Sequence, residues 1–142
     1  MAWILDGNNV LGFIASREGR DPGREGLLQR ILACRTPLPL TIVFDGPPPA
    51  GVAGGTRRGR VTVTYSGRGS ADDLIHALVR PGDTVVTADR DLSLRCRDRR
   101  GKVITPERFL SELRPRRGGD AEKPSPAGVD VQEWMNFFRR GR

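Results

Sequence analysis

Apolar runs alternate with amphipathic stretches over the first 113 residues of the chain. The runs at residues 3–5, 40–44, 84–87 and 103–104 lack an alternating polar face, which is typical of strands buried in a parallel sheet. Residues 60–65 alternate and predict a more exposed strand. Helices are predicted at 10–14, at 23–34, and after residues 70, 91 and 105. Because strands alternate with helices, we expect an α/β fold with a parallel, doubly wound sheet.

Two stretches have no apolar period. Residues 46–59 contain three successive prolines and paired glycines, which predicts a loop. Residues 114–128 are rich in proline, glycine and charge, which predicts a linker. The last segment, 129–142, predicts a short amphipathic helix with a basic tail, and Val131, Trp134, Met135 and Phe138 lie on one side of it. The expected organisation is therefore a domain over 1–113, a linker over 114–128 and a C-terminal helix and tail over 129–142.

Acidic side chains follow the predicted strands at the points where the strands end. Because the carboxyl ends of parallel strands meet at one edge of a sheet, we expect these side chains to converge. Like charges so close together cannot all stay ionised without a cation, so the pattern predicts a metal site. One acidic residue at a helix start could simply complement the helix dipole, but an adjacent pair after a strand and a glycine-rich turn favours a functional role. The aspartates concerned are Asp6, Asp45, Asp72, Asp73, Asp89 and Asp91.

The residue types at this edge favour a hard cation. Carboxylate oxygens suit Mg²⁺ or Mn²⁺, and the set contains no cysteine or histidine grouping of the kind that zinc favours. Cys34 and Cys96 have no close-spaced partner, so neither a zinc knuckle nor a disulfide framework is predicted. His76, the only histidine, is expected to be packed or on a helix surface and not to act in catalysis.

The net charge favours an anionic partner. The chain of 142 residues carries a formal charge of +7, and Lys102 and Lys123 are its only lysines, so arginine supplies nearly all of the positive charge. Nucleic acid is the usual partner of such a surface. Four arginines are expected near the mouth of the site, where they contact phosphates or are simply solvated. They are Arg57, Arg58, Arg60 and Arg68.

Two further expectations concern compartment and packing. The first residues do not form a signal segment, and no apolar run is long enough to span a bilayer. Together with two thiols that fit a reducing cytosol, this predicts a cytoplasmic protein with no membrane partner. Tyr65 and Trp3 could stack on bases, but packing in the core or at its edge is the favoured interpretation.

Four short motifs occur in a fixed order along the chain: Asp6-Gly7-Asn8-Asn9, Phe44-Asp45-Gly46, Ala71-Asp72-Asp73 and Thr87-Ala88-Asp89. Together they resemble the NYN domain of the PIN-like nuclease superfamily, and within it the bacterial YacP-like subgroup. The resemblance covers roughly residues 1–113. It implies a PIN-like α/β/α sandwich with a mostly parallel central sheet, and a divalent-metal-dependent ribonuclease, expected to be an endonuclease, that leaves a 5′-phosphate and a 3′-hydroxyl.

The resemblance also implies roles for residues and a partner. Asp6 would be a metal ligand and Asn9 an amide that orients the site. Asp72 or Asp73, together with Asp89, would complete the acidic cluster. Members near this branch include ribosome-associated mRNA endonucleases, so RNA, and mRNA on or near the ribosome, is the implied partner. Positions that match less closely, and that are additional candidates, are Asn8, Asp45 and Asp91.

Two other classes of function remain open on the sequence. The first is a non-catalytic RNA- or ribosome-binding module that keeps the acidic residues without using them. The second is a phosphoryl-accepting receiver-like domain, which also gathers aspartates at strand ends. The receiver interpretation is disfavoured because no lysine lies between Asp6 and Val85 to pair with an acyl phosphate.

Overall fold

The computed structural model describes residues 1–36, 39–51 and 55–115. Five helices and eight strands occur within these ranges. In chain order they are β1 (Trp3–Asp6), α1 (Gly7–Glu18), α2 (Gly23–Leu32), β2 (Cys34–Arg35), β3 (Leu40–Phe44), β4 (Gly55–Arg58), β5 (Val61–Tyr65), α3 (Ala71–Leu78), β6 (Thr84–Val86), α4 (Arg90–Asp98), β7 (Lys102–Ile104), α5 (Pro106–Glu112) and β8 (Arg114–Pro115).

Six of the strands form one mostly parallel sheet in the order β4-β5-β3-β1-β6-β7. β1 is central and pairs in parallel with β3 on one side and with β6 on the other. β5 and β7 extend the parallel arrangement outward, and β4 is antiparallel to β5 at the edge. The predicted α/β class, with a mostly parallel central sheet, is confirmed.

Helices cover both faces of the sheet. Successive residues of a strand point to opposite faces, and because both faces of β1 are apolar, both must be buried. Leu5 of β1 is fully buried in the core layer that contains α1, α2 and α5. Ile4, its neighbour, is buried in the layer that contains α3 and α4. The resulting three-layer sandwich holds β1 in its middle, and of this strand only Trp3 is partly exposed.

The helix and strand bounds differ from the prediction in four places. The second helix ends at Leu32, and Cys34, predicted to be its last residue, belongs to β2. α1 is longer than expected and begins at Gly7, directly after β1. The predicted loop 46–59 contains β4, an edge strand with only exposed and half-exposed residues, so it has no apolar alternation that sequence analysis could detect. The first two residues of the predicted linker form β8, which pairs antiparallel with β2.

The other predictions for the C-terminal part concern residues that the structure does not describe. Positions 116–128 of the predicted linker and the predicted amphipathic helix and tail at 129–142 lie outside the described residues. Within the described ranges, no helix combines the length and the apolar character needed to cross a membrane.

Candidate functional site

A polar cleft lies at the carboxyl-terminal edge of the sheet, where β1 ends between β3 and β6. After β1 the chain first adds β3, β4 and β5 on one side of β1, and then crosses the sheet to add β6 and β7 on the other side. The direction in which strands are added therefore reverses between β1 and β6. Ligands of open α/β sheets bind at this point. The cleft is lined by Asp6, Asn8, Asn9, Asp45, Ser70, Ala71 and Asp72.

Asp6 is the buried carboxylate of the cleft, with 5% of its surface exposed. It ends β1 and caps α1, and its Oδ1 accepts the backbone N–H of Asn9 at 3.4 Å. Its Oδ2 accepts the hydroxyl of Thr87 at 3.0 Å. Burial raises the pKa of Asp6 to about 6, and the negative charges of Asp72 and Asp89 add to the rise, while the two hydrogen bonds oppose it.

Thr87 connects Asp6 to the start of α4. Only 1% of its surface is exposed, and its Oγ1 donates to Asp6 and accepts the backbone N–H of Asp89 at 3.1 Å. Asp89 in turn caps α4 by accepting the N–H of Leu92 at 2.9 Å. Sequence analysis gave Thr87 no role, although the residue stands in the Thr87-Ala88-Asp89 motif directly after the strand.

The adjacent residues Asp72 and Asp73 have different surroundings. Asp72 lines the cleft, and burial raises its pKa, followed by the negative charge of Asp89, while Arg95 lowers it. Asp73 is exposed and its Oδ1 lies 3.0 Å from the Arg95 guanidinium on α4. Asp72 is therefore the member of the pair that belongs to the cleft. Asp91 lies exposed in the first turn of α4, where its charge complements the helix dipole.

Asn8 and Asn9 reach in opposite directions from the start of α1. The Asn8 side-chain oxygen accepts the backbone N–H of Asp45 at 2.8 Å, at the end of β3. The Asn9 side-chain oxygen accepts the backbone N–H of Ala88 at 2.7 Å, at the end of β6. The two amides therefore tie the end of the central strand to the ends of both neighbours, a pattern that fits the orienting role expected for Asn9.

Asp45 holds the start of α3. Its Oδ1 accepts the backbone N–H of Ala71 at 2.9 Å and lies 3.3 Å from the hydroxyl of Ser66. Ala71 directly precedes Asp72, so this contact fixes the turn of helix that carries a cleft carboxylate. Asp45 is thus placed to position Asp72 as well as to line the cleft.

The four arginines expected near the mouth are not together. Arg57 and Arg58 of β4 pair with Thr62 and Val61, at the end of β5 that lies away from the cleft, and Arg60 directly precedes that strand. Arg58 also forms an ion pair with Glu25 at 3.3 Å. Arg68 is the member of this set on the cleft side, exposed in the turn that follows β5. Arg68 therefore lies on the cleft side of the sheet, whereas the backbones of Arg57, Arg58 and Arg60 lie toward the opposite end of β5.

The carboxylates of the cleft influence one another without forming a closed ligand set. Asp6 experiences the charges of Asp72 and Asp89, and Asp72 also experiences that of Asp45. Within the described part of the chain, no three His, Cys, Asp or Glu side chains are close enough to hold a metal ion between them. The predicted convergence is therefore an electrostatic grouping of Asp6, Asp45, Asp72 and Asp89. The charge of Asp73 also acts on Asp72, although the Asp73 carboxylate is paired with Arg95, and Asp91 lies exposed in the first turn of α4.

Comparison with known proteins supports the fold. No family model matches the sequence, and no curated protein matches it. The structure is similar to the crystal structure of Rae1 (YacP) from Bacillus subtilis, a W164L mutant, with a TM-score of 0.55 and 20% sequence identity over 78% of this chain and 73% of that chain. At this identity the similarity establishes a YacP-like fold and leaves the NYN assignment a prediction.

Proposed function

We propose that this protein is a divalent-metal-dependent ribonuclease, acting as an endonuclease, whose active site is the cleft at the end of β1. The observation that carries the proposal is the Asp6 carboxylate, which is buried at the end of the central strand beside the negative charges of Asp72 and Asp89. A carboxylate so placed has its pKa raised toward neutrality, and such perturbed groups in clefts are typical of functional sites.

The donor atoms of the cleft suit Mg²⁺ or Mn²⁺. The candidates to hold such an ion are carboxylate oxygens of Asp6, Asp72 and Asp89, together with water. Mg²⁺ commonly retains several waters and uses only one or two protein carboxylates, so a site without three converging side chains is compatible with this metal. When bound, the metal would neutralise the phosphate and activate a water for phosphodiester hydrolysis.

The remaining residues hold the carboxylates in place. Thr87 fixes the orientation of Asp6 and the start of the helix that Asp89 caps. Asn8 and Asn9 keep three strand ends at a constant spacing, and Asp45 fixes the first turn of α3. No histidine is needed as a base, and His76, which lies 3.4 Å from Arg95, is not one of the residues that line the cleft.

RNA as the substrate rests on two independent lines. The formal charge of +7 favours a polyanion, and the ordered motifs resemble a family of RNA nucleases. The same resemblance leads us to propose mRNA on or near the ribosome as the physiological substrate. The similarity to Rae1 (YacP) supports the fold on which these proposals depend.

Cleavage of a labelled single-stranded RNA by the full chain, with and without Mn²⁺ or Mg²⁺, tests the proposal. We expect metal-dependent cleavage that Asp6→Asn and Asp89→Asn reduce by about 100-fold or more, since each removes a charged group from the site. Asp98→Asn is the matched control, because Asp98 ends α4 and Asp89 caps its start. Product ends identify the chemistry, and Mn²⁺ binding followed by electron paramagnetic resonance provides a readout that is independent of turnover. Cleavage that persists in chelator, or in both cleft variants, would contradict the proposal.

A non-catalytic RNA- or ribosome-binding module is the second candidate. The observation in its favour is that no three potential ligand side chains of the described residues converge on one point. Tight RNA binding without turnover at millimolar Mn²⁺, unchanged in Asp6→Asn, would establish this function in place of the ribonuclease.

A further inference from the structure

Arg24 is a cation fixed beside the cleft, on the side of β3 and β5. It is the second residue of α2, and its guanidinium carbon lies 4.9 Å from the centre of the Phe44 ring and 5.7 Å from that of Tyr65. One of its terminal nitrogens donates to the backbone oxygen of Asp45 at 2.9 Å. Three contacts therefore hold the guanidinium against the ends of two strands, next to a residue that lines the cleft.

The position of Arg24 in its helix is unfavourable for a positive charge. The first turn of a helix carries the positive end of the helix dipole, so cations are disfavoured there. Stacking on Phe44 and Tyr65 and the hydrogen bond to Asp45 offset this cost. The arrangement therefore keeps a positive charge beside Asp45 at the edge of the cleft.

The lining of the cleft contains oxygen-rich side chains and no arginine or lysine. An RNA strand that enters it must bring phosphates past Asp45 and Asp72 as well as to the buried Asp6. A metal ion at the carboxylates would attract only the phosphate next to it. A neighbouring phosphate requires a cation at the rim, and a planar guanidinium with several N–H donors is well suited to bind it.

We propose that Arg24 binds a backbone phosphate of the RNA strand that flanks the phosphate undergoing cleavage, so that the strand crosses the ends of β3 and β5. This inference rests on the proposed ribonuclease function for the identity of the substrate. Phe44 and Tyr65 hold the guanidinium through cation–π contacts, and because Arg24 is partly exposed, its N–H groups that do not bond to Asp45 are available to a phosphate. Tyr65 thereby contributes by packing, as expected, and supports a contact to RNA without stacking on a base.

Equilibrium binding of a labelled twelve-nucleotide oligouridylate tests the proposal. It is measured by fluorescence anisotropy over a salt series in chelator, so that no turnover is needed. We expect Arg24→Gln to raise Kd about tenfold, the size expected for one charge-assisted hydrogen bond. The slope of log K against log salt should fall in magnitude by about 0.7, the value for one phosphate contact to a single strand. Arg24→Lys should keep the slope and lose part of the affinity, because it retains the charge without the planar fork.

Arg17→Gln is the matched control. Arg17 also lies over an aromatic ring, that of Phe13 at 5.0 Å, and forms an ion pair with Glu107, but it is in the last turn of α1, whose first turn borders the cleft. The two variants remove the same charge, so an equal loss of affinity in both would overturn the proposal. A lower melting temperature in Arg24→Gln with unchanged Kd and salt slope would also overturn it and make Arg24 a purely structural residue.

The binding experiment on Arg24 and the cleavage assay for the proposed function can fail independently of each other. If the wild-type chain fails to cleave RNA with Mn²⁺, the ribonuclease proposal fails, while the binding series in chelator still decides the role of Arg24. If cleavage occurs and Arg24→Gln leaves both KM and the salt slope unchanged, only the Arg24 proposal fails.

Discussion

At the scale of single residues, Asp6 combines burial with ionisation, two properties that oppose each other. A carboxylate with 5% of its surface exposed loses most of its hydration, and among the described residues Thr87 and Asn9 supply the hydrogen-bond donors that compensate in part. Neighbouring negative charges increase the cost further. Residues that weaken the fold in this way are typical of functional sites.

Asp6→Asn is therefore predicted to stabilise the protein at neutral pH. Because burial raises the pKa of Asp6 from 3.8 to about 6, the folded state loses stability as pH rises through this window, by roughly 3 kcal/mol when ionisation is complete. Asparagine does not ionise, so the free energy of unfolding of the variant does not fall in this way. Urea unfolding should show it to be more stable than wild type by on the order of 2 kcal/mol at pH 8, with the difference shrinking toward pH 4. A variant less stable than wild type at pH 8 would contradict the prediction.

Thr87→Val is predicted to have the opposite effect on stability. The substitution keeps the shape and removes the hydroxyl, so Asp6 loses a donor and the N–H of Asp89 loses an acceptor inside the protein. We expect a loss of about 1–3 kcal/mol in unfolding experiments and, for the proposed nuclease, a roughly 10- to 100-fold fall in activity, as for other residues that orient metal ligands. Thr87→Ser, which retains the hydroxyl, should stay close to wild type in both measurements.

The sequence predicted the positions of the cleft residues better than their partners. Carboxylates at strand ends follow from an apolar run that stops at an aspartate, which is a local pattern. The different environments of Asp72 and Asp73 depend on Arg95, and the environment of Asp6 depends on Thr87. Arg95 is 22 residues from Asp73 and Thr87 is 81 residues from Asp6 along the chain. The spacing of residues within one segment therefore cannot predict either contact.

At the scale of elements, the junction of β1 and α1 has the tightest steric constraint. α1 begins at Gly7 without an intervening loop, and a Cβ at this position would lie 2.5 Å from the Phe44 ring and 2.9 Å from the backbone oxygen of Val43. The close approach of α1 to β3 lets the Asn8 side chain reach the end of that strand.

Gly7→Ala is predicted to destabilise the fold by about 1–3 kcal/mol, the usual cost of overpacking, and to disturb the contacts of Asn8 and Asn9. Gly12→Ala is the control on the same helix, because no atom lies within 4 Å of a Cβ there. It should instead stabilise the protein by roughly 0.5–1 kcal/mol through helix propensity. Thermal unfolding of the two variants measures both effects, and equal shifts of the same sign would contradict the steric explanation.

The elements were predictable where burial imposes a pattern. β3, buried on both faces, was found at its observed bounds, and the alternating strand β5 was found within one residue. β4 was missed because an edge strand with exposed residues carries no periodicity. The early start of α1 was missed because glycine and two asparagines are poor helix formers, and their position is determined by capping from Asp6 and by contacts to neighbouring strands.

At the scale of the whole molecule, charge is distributed unevenly. The chain carries a net charge of +7, yet its cleft is acidic. A positively charged protein attracts a polyanion, but the negative charges of the cleft repel it there. The divalent cation of the proposed function would resolve this conflict, and without a cation the repulsion among Asp6, Asp72 and Asp89 destabilises the fold.

Mg²⁺ or Mn²⁺ is therefore predicted to raise the melting temperature of the wild-type chain. A ligand that binds only the folded state stabilises it by about 2.7 kcal/mol at 100 times its dissociation constant. The increase should be lost in Asp89→Asn and retained in Asp98→Asn, which lowers the net negative charge equally at the far end of α4. Equal metal-induced shifts in the two variants would indicate binding outside the cleft.

The side chains of Asn8, Asn9 and Asp45 each accept a hydrogen bond from a backbone amide in a neighbouring element, and these bonds restrict local motion. The backbone amides of Asp45, Ala88 and Ala71 lie at strand ends and at a helix start, where amide protons usually exchange rapidly with solvent. Here each donates to a side-chain oxygen. In deuterium oxide these three protons should persist far longer than those of neighbouring turns, and Asn8→Ala should release that of Asp45 alone.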